Sequence, residues 1–101
     1  MPANDGARPL VSAILPTRNR AQLLSRAIDS ILGQEGRGTQ FDLDITVVDD
    51  ASSDGTPEVM RRYPAVRYVR LETQRGAAAA RNVGIKSSTG KYVAFQDDDD
   101  V

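Results

Sequence analysis

Residues 44–56 read DITVVDDASSDGT, and the fold class turns on how that stretch is parsed. Ile45–Val48 is short, apolar and mostly β-branched, the pattern of a strand buried on both faces. It ends on Asp49 and Asp50, and Ser52-Ser53-Asp54-Gly55 is turn chemistry. Thr56 followed by Pro57 fits a helix N-cap with proline at the first helical position; a short helix then runs to about Tyr63, where Pro64 stops it. A strand that empties straight into a turn and a helix is half of a β-α-β unit.

Working outward, the same alternation recurs. Leu10–Leu15 is an apolar run closed by Pro16, a second buried strand. From Arg20 onward Leu23, Leu24, Ala27, Ile28, Ile31 and Leu32 recur at helical spacing, with Asn19 as the expected N-cap and Gly33 or Gly36 as the stop. Val66–Leu71 mixes apolar residues with arginines, as an edge strand does. RGAAAARNVGIKSS, 75–88, reads as a helix of small residues able to pack closely on a sheet, with Gly90 just past its end. Tyr92–Phe95 is the last strand. The order β-α-β-α-β-α-β predicts right-handed crossovers and a doubly wound, mostly parallel sheet with helices on both faces. Residues 1–9 are polar and read as a flexible lead-in; residues 10–101 read as one unit.

Bulk properties narrow the chemistry. A chain of 101 residues with net charge −1 lacks the basic surface that duplex nucleic acid requires. There is no cysteine and no histidine, so disulfides, thiolate metal sites and the commonest general base are excluded, and any metal must be held by oxygen. The apolar runs are too short to span a bilayer, and residues 1–9 lack a signal-peptide core. A cytoplasmic location is the expectation, with association at the cytoplasmic face of a membrane open to a longer parent.

In open parallel sheets ligands bind beyond the carboxyl ends of the strands. Here those ends lead into PTRNR (16–20), DDASSDGT (49–56), ETQRG (72–76) and the run Asp97–Asp100. The shared edge therefore collects two aspartate clusters, arginines at 18, 20 and 75, and a helix start after Gly76. Helix N-termini favour phosphate, and carboxylate-only clusters suit Mg2+ or Mn2+. An anion site beside a metal site suggests a metal-bound diphosphate, as in a nucleotide. Asp54 reads as part of the turn, and Arg20 and Lys86 as exposed helix positions.

VSAILPTRNRAQLLSRAIDSIL, DITVVDDASSDGT and RGAAAARNVGIKSSTGKYVAFQDDDD together resemble the amino-terminal half of family 2 glycosyltransferases, from about Val11 to Asp100. The resemblance implies a GT-A fold cut after its fourth strand, and a nucleoside diphosphate sugar donor, with uridine the expected base. It implies that Pro16 and Thr17, with Arg18 and Asn19 in the same loop, contact the nucleoside. Asp50 would hydrogen-bond the uracil ring with Asp49 beside it. Arg75 and Gly76 would approach base and diphosphate, and Arg81 belongs to the same donor-binding set. Asp97-Asp98-Asp99 would be the DxD motif: Asp97 and Asp98 facing ribose or metal, Asp99 the direct ligand, so that Asp97 and Asp99 hold Mn2+ or Mg2+. The family often has an aromatic residue where Arg18 stands; a guanidinium plane can also stack on a base.

Family members continue well beyond this length and supply the acceptor site and a carboxylate general base, which the resemblance places beyond Val101. This chain is thus expected to be a donor-binding portion without its own catalytic base, inactive alone, and open to self-association through the exposed sheet edge. The acceptor stays open among saccharide, lipid and protein. Other functions fit parts of the inventory: a non-catalytic nucleotide-binding piece, or a receiver-like phospho-acceptor domain. In receivers, however, the acidic pair follows the first strand, where PTRNR stands here. Nucleotidyl transfer would call for a glycine-rich loop at that same place.

Overall fold

The computed structural model describes residues 9–34, 41–88, 90 and 92–95, and the structural statements that follow concern those residues. They form β1 (Leu10–Thr17), α1 (Ala21–Leu32), β2 (Asp42–Asp50), α2 (Thr56–Met60), β3 (Arg67–Leu71), α3 (Ala77–Ser87) and β4 (Tyr92–Phe95). The strands make one parallel sheet in the order β3-β2-β1-β4. From β1 the chain steps to β2 and then β3 in one direction; to reach β4 it crosses back over both. Right-handed crossovers therefore put α1 and α2 on one face and α3 on the other. The point of reversal lies beside β1, where an open sheet forms its ligand crevice.

Strand alternation builds the two layers. Ala13 and Leu15 of β1 and Ile45 and Val47 of β2 pack with Leu24, Ala27, Ile28 and Ile31 of α1 and with Met60 of α2. Those α1 positions follow the spacing i, i+3, i+4, i+7 of a single apolar stripe. Ile14 and Val48, also fully buried, point to the opposite face, where α3 packs on β1 and β2. Burial of each such side chain contributes about 1.5–3 kcal/mol. α3 comes close because Gly84 faces Ile14: a Cβ there would stand 2.3 Å from Ile14 Cγ2.

Several element ends differ from expectation for identifiable reasons. β1 runs through Pro16 to Thr17; Pro16 lies past Ile14, the last residue paired with β4 among the described residues, and its described ladder is with Val48 of β2. Gly33 closes α1, as expected, and the alternative stop, Gly36, lies outside the described residues. β2 starts at Asp42, and its charged residues conceal the strand pattern. Asp44 is used: it accepts a hydrogen bond from Ser12 Oγ (3.1 Å) and an ion pair from Arg67 (3.3 Å). Regular α2 ends at Met60, and Arg62 and Tyr63 close the last turn with tighter bonds to the carbonyls of Val59 and Met60.

Gly90 is not the cap of α3; Ser88 is, with its Oγ bonded to the Ile85 carbonyl (2.8 Å). Gly90 instead lies against β1, its N–H donating to Ser12 Oγ at 2.7 Å, where a Cβ would collide with Ser12. Val93, Phe95 and Ile85 are exposed apolar residues on and beside β4. No described helix is long and apolar enough to cross a membrane. Of the lead-in only Pro9 is described; its carbonyl accepts the Asp42 N–H (3.0 Å).

Candidate functional site

Beyond the carboxyl ends of β1 and β2 lies a cleft of about 430 Å³. Pro16, Thr17, Arg18 and Arg20 form one wall and Asp50 stands at the end of β2. Gln74, Gly76, Ala77, Ala80 and Arg81 form the other wall, along the start of α3. The alternating strand and helix pattern of the sequence delivers all three segments to this edge.

Asp50 is buried, and its two oxygens accept the backbone N–H groups of Arg75 (2.7 Å) and Gly76 (2.9 Å). It thereby ties the end of β2 to the entry of α3, satisfying donors that a helix start leaves unpaired. Gly76 adopts φ +95°, a conformation that glycine takes without a side-chain clash and that lets the chain turn into the helix. A carboxylate has about four lone-pair positions, so two amide bonds leave Asp50 able to accept a further donor from a ligand in the cleft. Around it stand three guanidinium groups, from Arg18, Arg20 and Arg81, and the first turn of α3 with its positive dipole end. The arrangement suits a ligand that offers a ring N–H at one point and carries negative charge at another.

The structure separates residues that the sequence grouped. Pro16, Thr17, Arg18, Asp50, Gly76 and Arg81 share the cleft. Arg75 contributes its backbone N–H to Asp50 but is not part of the lining. Asn19 turns away at φ +54°, bordering a separate hollow with Asp54. It is not the side-chain cap of α1: its Oδ1 accepts the Ser53 N–H (2.7 Å). The α1 N-terminus is met from the neighbouring loop, where Asp54 accepts the Ala21 N–H (3.1 Å). Asp54 also takes the N–H and hydroxyl of Thr56; the hydroxyl bond is the largest influence holding its carboxyl below the ordinary aspartate range.

Asp49 points to the opposite face from Asp50, as adjacent strand residues must. It is fully buried and accepts hydrogen bonds from the Ser52 N–H (2.8 Å), the Tyr68 hydroxyl and Arg70 Nη1 (2.9 Å). Burial, then the bond to Asp49, pushes the Tyr68 phenol up to about 12. Arg20 and Gln74 line the cleft without having been singled out as site residues. The signal for Arg20 was its place in PTRNR, and for Gln74 its place in ETQRG, both at the carboxyl edge of the sheet.

The residues assigned to a metal, Asp97 and Asp99, and Asp98 between them, lie outside the described residues. So does Val101, the position beyond which the general base is expected. The described cleft wall does not fit a cation by itself, since Asp50 is its one carboxylate, both oxygens bind amides, and its other charges are positive. No group of three or more acidic residues placed to hold a metal occurs among the described residues. β4 runs parallel to β1 and is directed toward the cleft edge.

The sequence signature described as "Glycosyl transferase family 2" matches residues 12–101. The chain belongs to that family. Among family relatives, the succinoglycan biosynthesis protein ExoO of Rhizobium meliloti is 38% identical over 94 residues, covering 91% of this chain and 26% of the relative. The poly(ribitol-phosphate) beta-N-acetylglucosaminyltransferase TarP of Staphylococcus aureus is 39% identical over 95 residues, covering 90% and 28%. A mannosyltransferase from Pyrobaculum calidifontis, solved with GDP-Man and Mn2+, superposes with a TM-score of 0.76 at 38% identity, covering 91% of this chain and 28% of that one. S. aureus TarS residues 1-349 with UDP gives 0.79 at 31% identity, covering 88% and 27%. The expected GT-A sheet is thus borne out, and the chain spans about a quarter of the length of these four proteins.

Proposed function

We propose that this chain forms the donor-binding part of an enzyme that moves a sugar from a nucleoside diphosphate sugar, a UDP-sugar in first place, to a saccharide, lipid or protein acceptor. One observation carries the reading: a cleft beyond the carboxyl ends of β1 and β2 in which a buried carboxylate, Asp50, shares the lining with Arg18, Arg20, Arg81 and the start of a helix. Asp50 would accept the ring N–H of the base. Arg18 would stack on the base or meet phosphate, and Arg81 with the first turn of α3 would face the diphosphate.

The reaction is direct displacement at the anomeric carbon by an acceptor hydroxyl. As charge develops on the departing diphosphate, the guanidinium groups and helix start stabilise it. Asp97 and Asp99 are the residues we assign to Mn2+ or Mg2+; the ion would supply Lewis-acid neutralisation of the diphosphate. The Mn2+ in the mannosyltransferase relative supports a divalent cation in the reaction; that Asp97 and Asp99 hold it is our assignment. A base for the acceptor proton is not found in the described cleft, where Asp50 is engaged by two amides and the other ionisable groups are guanidiniums. We assign it to a part of the protein beyond Val101, and assign the protein to the cytoplasm.

Calorimetric titration of UDP, GDP and ADP, with Mn2+ and again with EDTA, tests the reading. Metal-dependent binding that favours UDP and is lost in Asp99→Ala supports it. Preference for GDP would move the base assignment, since relatives solved with GDP-Man and with UDP are comparably similar. Binding of no nucleotide by the protein at its natural length would overturn it.

A further inference from the structure

The cleft is built from loops, and loops need something to fix them. Arg18 and Arg20 both line the cleft while Asn19 between them points away, so the direction of both arginines depends on how Asn19 is held. It is held by the 51–54 turn through three bonds: its N–H donates to Ser52 Oγ (2.8 Å), and its Oδ1 accepts the Ser53 N–H (2.7 Å) and, more weakly, the Ser53 hydroxyl (3.4 Å). The turn is itself held from the sheet face opposite Asp50. Asp49 accepts the Ser52 N–H, and Arg70 bridges, with Nη1 on Asp49 (2.9 Å) and Nη2 on the Ser52 carbonyl (2.7 Å). Tyr68 donates its hydroxyl to the same Asp49 oxygen.

The arrangement is over-determined in a way that plain stability does not require. Ala51 sits at φ +62°, a region that costs a non-glycine residue about 1–2 kcal/mol. The chain accepts that strain in order to send Asp50 to one face and the turn to the other. Arg70 is the guanidinium whose fork matches both oxygens at once, a geometry that lysine cannot reproduce.

We propose that Asp49, Tyr68 and Arg70 are positioning residues for the cleft. They touch no ligand; they lock the 51–54 turn, which locks Asn19 and so sets where Arg18 and Arg20 stand. The inference rests on the reading of the cleft as the nucleotide site, and it moves Asp49 out of the ligand-contacting set.

The test is a coupling experiment on the protein at its natural length, with UDP and GDP as probes and calorimetric Kd as the readout, well below each variant's unfolding temperature. Tyr68→Phe and Arg70→Lys remove one bond or the fork while keeping size or charge. Asn19→Gly with Ser52→Ala and Asp54→Ala cuts the side-chain links from the 51–54 turn to Asn19 and to Ala21 beside Arg20, and keeps the backbone turn accessible. In the otherwise unaltered protein, Arg70→Lys and Tyr68→Phe each weaken nucleotide binding by about threefold or more. In the background with all of these links cut, the same two changes leave Kd unchanged, because the path to Arg18 and Arg20 is already broken.

A merely structural role would lower unfolding temperature in both backgrounds and leave Kd unmoved in either. Unchanged Kd in the intact background, or equal weakening in both, overturns the positioning role while the nucleotide site stands. Failure of the unaltered protein to bind either nucleotide removes the site and this proposal together.

Discussion

Replacing Gly84 by alanine sets two rules against each other. Helix propensity alone predicts that Gly→Ala in the interior of α3 stabilises by about 1 kcal/mol. Packing predicts the reverse. The new methyl would stand 2.3 Å from Ile14 Cγ2 and 3.3 Å from Ile14 Cβ and Cδ1, against a comfortable carbon separation of about 3.5–4.0 Å. Ile14 is fully buried in β1, flanked by β2 and β4, and its branch methyl is fixed by a stiff χ1, so it has no room to swing clear.

Relief requires α3 to lift from the sheet. Overpacking of this kind costs about 1–3 kcal/mol, and with both partners rigid the upper part of that range applies. After the propensity gain the net effect is a loss of about 1–2 kcal/mol. The assay is the urea midpoint at unchanged m-value, for Gly84→Ala, Ile14→Ala and the pair. The pair should be less destabilised than the sum of the singles, because the second truncation makes room for the first methyl. A midpoint that rises in Gly84→Ala would refute the close-approach account. Ala77, Ala80 and Arg81 line the cleft on the same helix, so nucleotide affinity should fall with the displacement.

Three further outcomes follow from the site. Asp50→Asn keeps the shape but offers one acceptor to two amides, leaving one part-buried N–H opposite an amide NH2; a loss of about 1 kcal/mol in urea unfolding is expected, with weaker nucleotide binding. Ala51→Gly removes the positive-φ strain at the expense of a more flexible unfolded chain, so stability should hold or rise by up to about 1 kcal/mol; a clear fall would contradict the strain. The Tyr68 phenol, raised to about 12, favours the protonated form in the fold: its contribution is complete below pH about 10 and disappears as pH climbs toward about 12. Alkaline unfolding should therefore be steeper in the unaltered protein than in Tyr68→Phe, followed by circular dichroism against pH.

The element order and the doubly wound sheet were legible because apolar runs and turn residues alternate cleanly along the chain. The convergence of Pro16, Thr17, Arg18, Asp50, Gly76 and Arg81 was legible from topology: all follow or flank the carboxyl ends of parallel strands. Less visible was the division between Asp49 and Asp50. Period-two alternation separates them, yet only the β2–β3 register, which pairs Asp49 with Arg70, reveals what the inward carboxylate binds. Register between strands is not written in local sequence. Asn19 carries the composition of a cap, but Asp54 from another loop meets the helix start, so a long-range bond displaced a local one. Arg20 looked helical because the apolar stripe begins three residues later, while the helix itself begins at Ala21.

The strand order has a temporal side. β4 pairs with the second edge of β1, and the Gly90–Ser12 bond beside that seam joins positions 78 residues apart. With synthesis proceeding at about 5–20 residues per second, the second edge of β1 waits roughly 4–16 s for its partner to be made. Through that interval β1, an interior strand of the folded sheet, is an open edge on the nascent chain. The Ser12 hydroxyl, which donates to Asp44 of β2, gains its second partner, the Gly90 N–H, only when that later segment arrives.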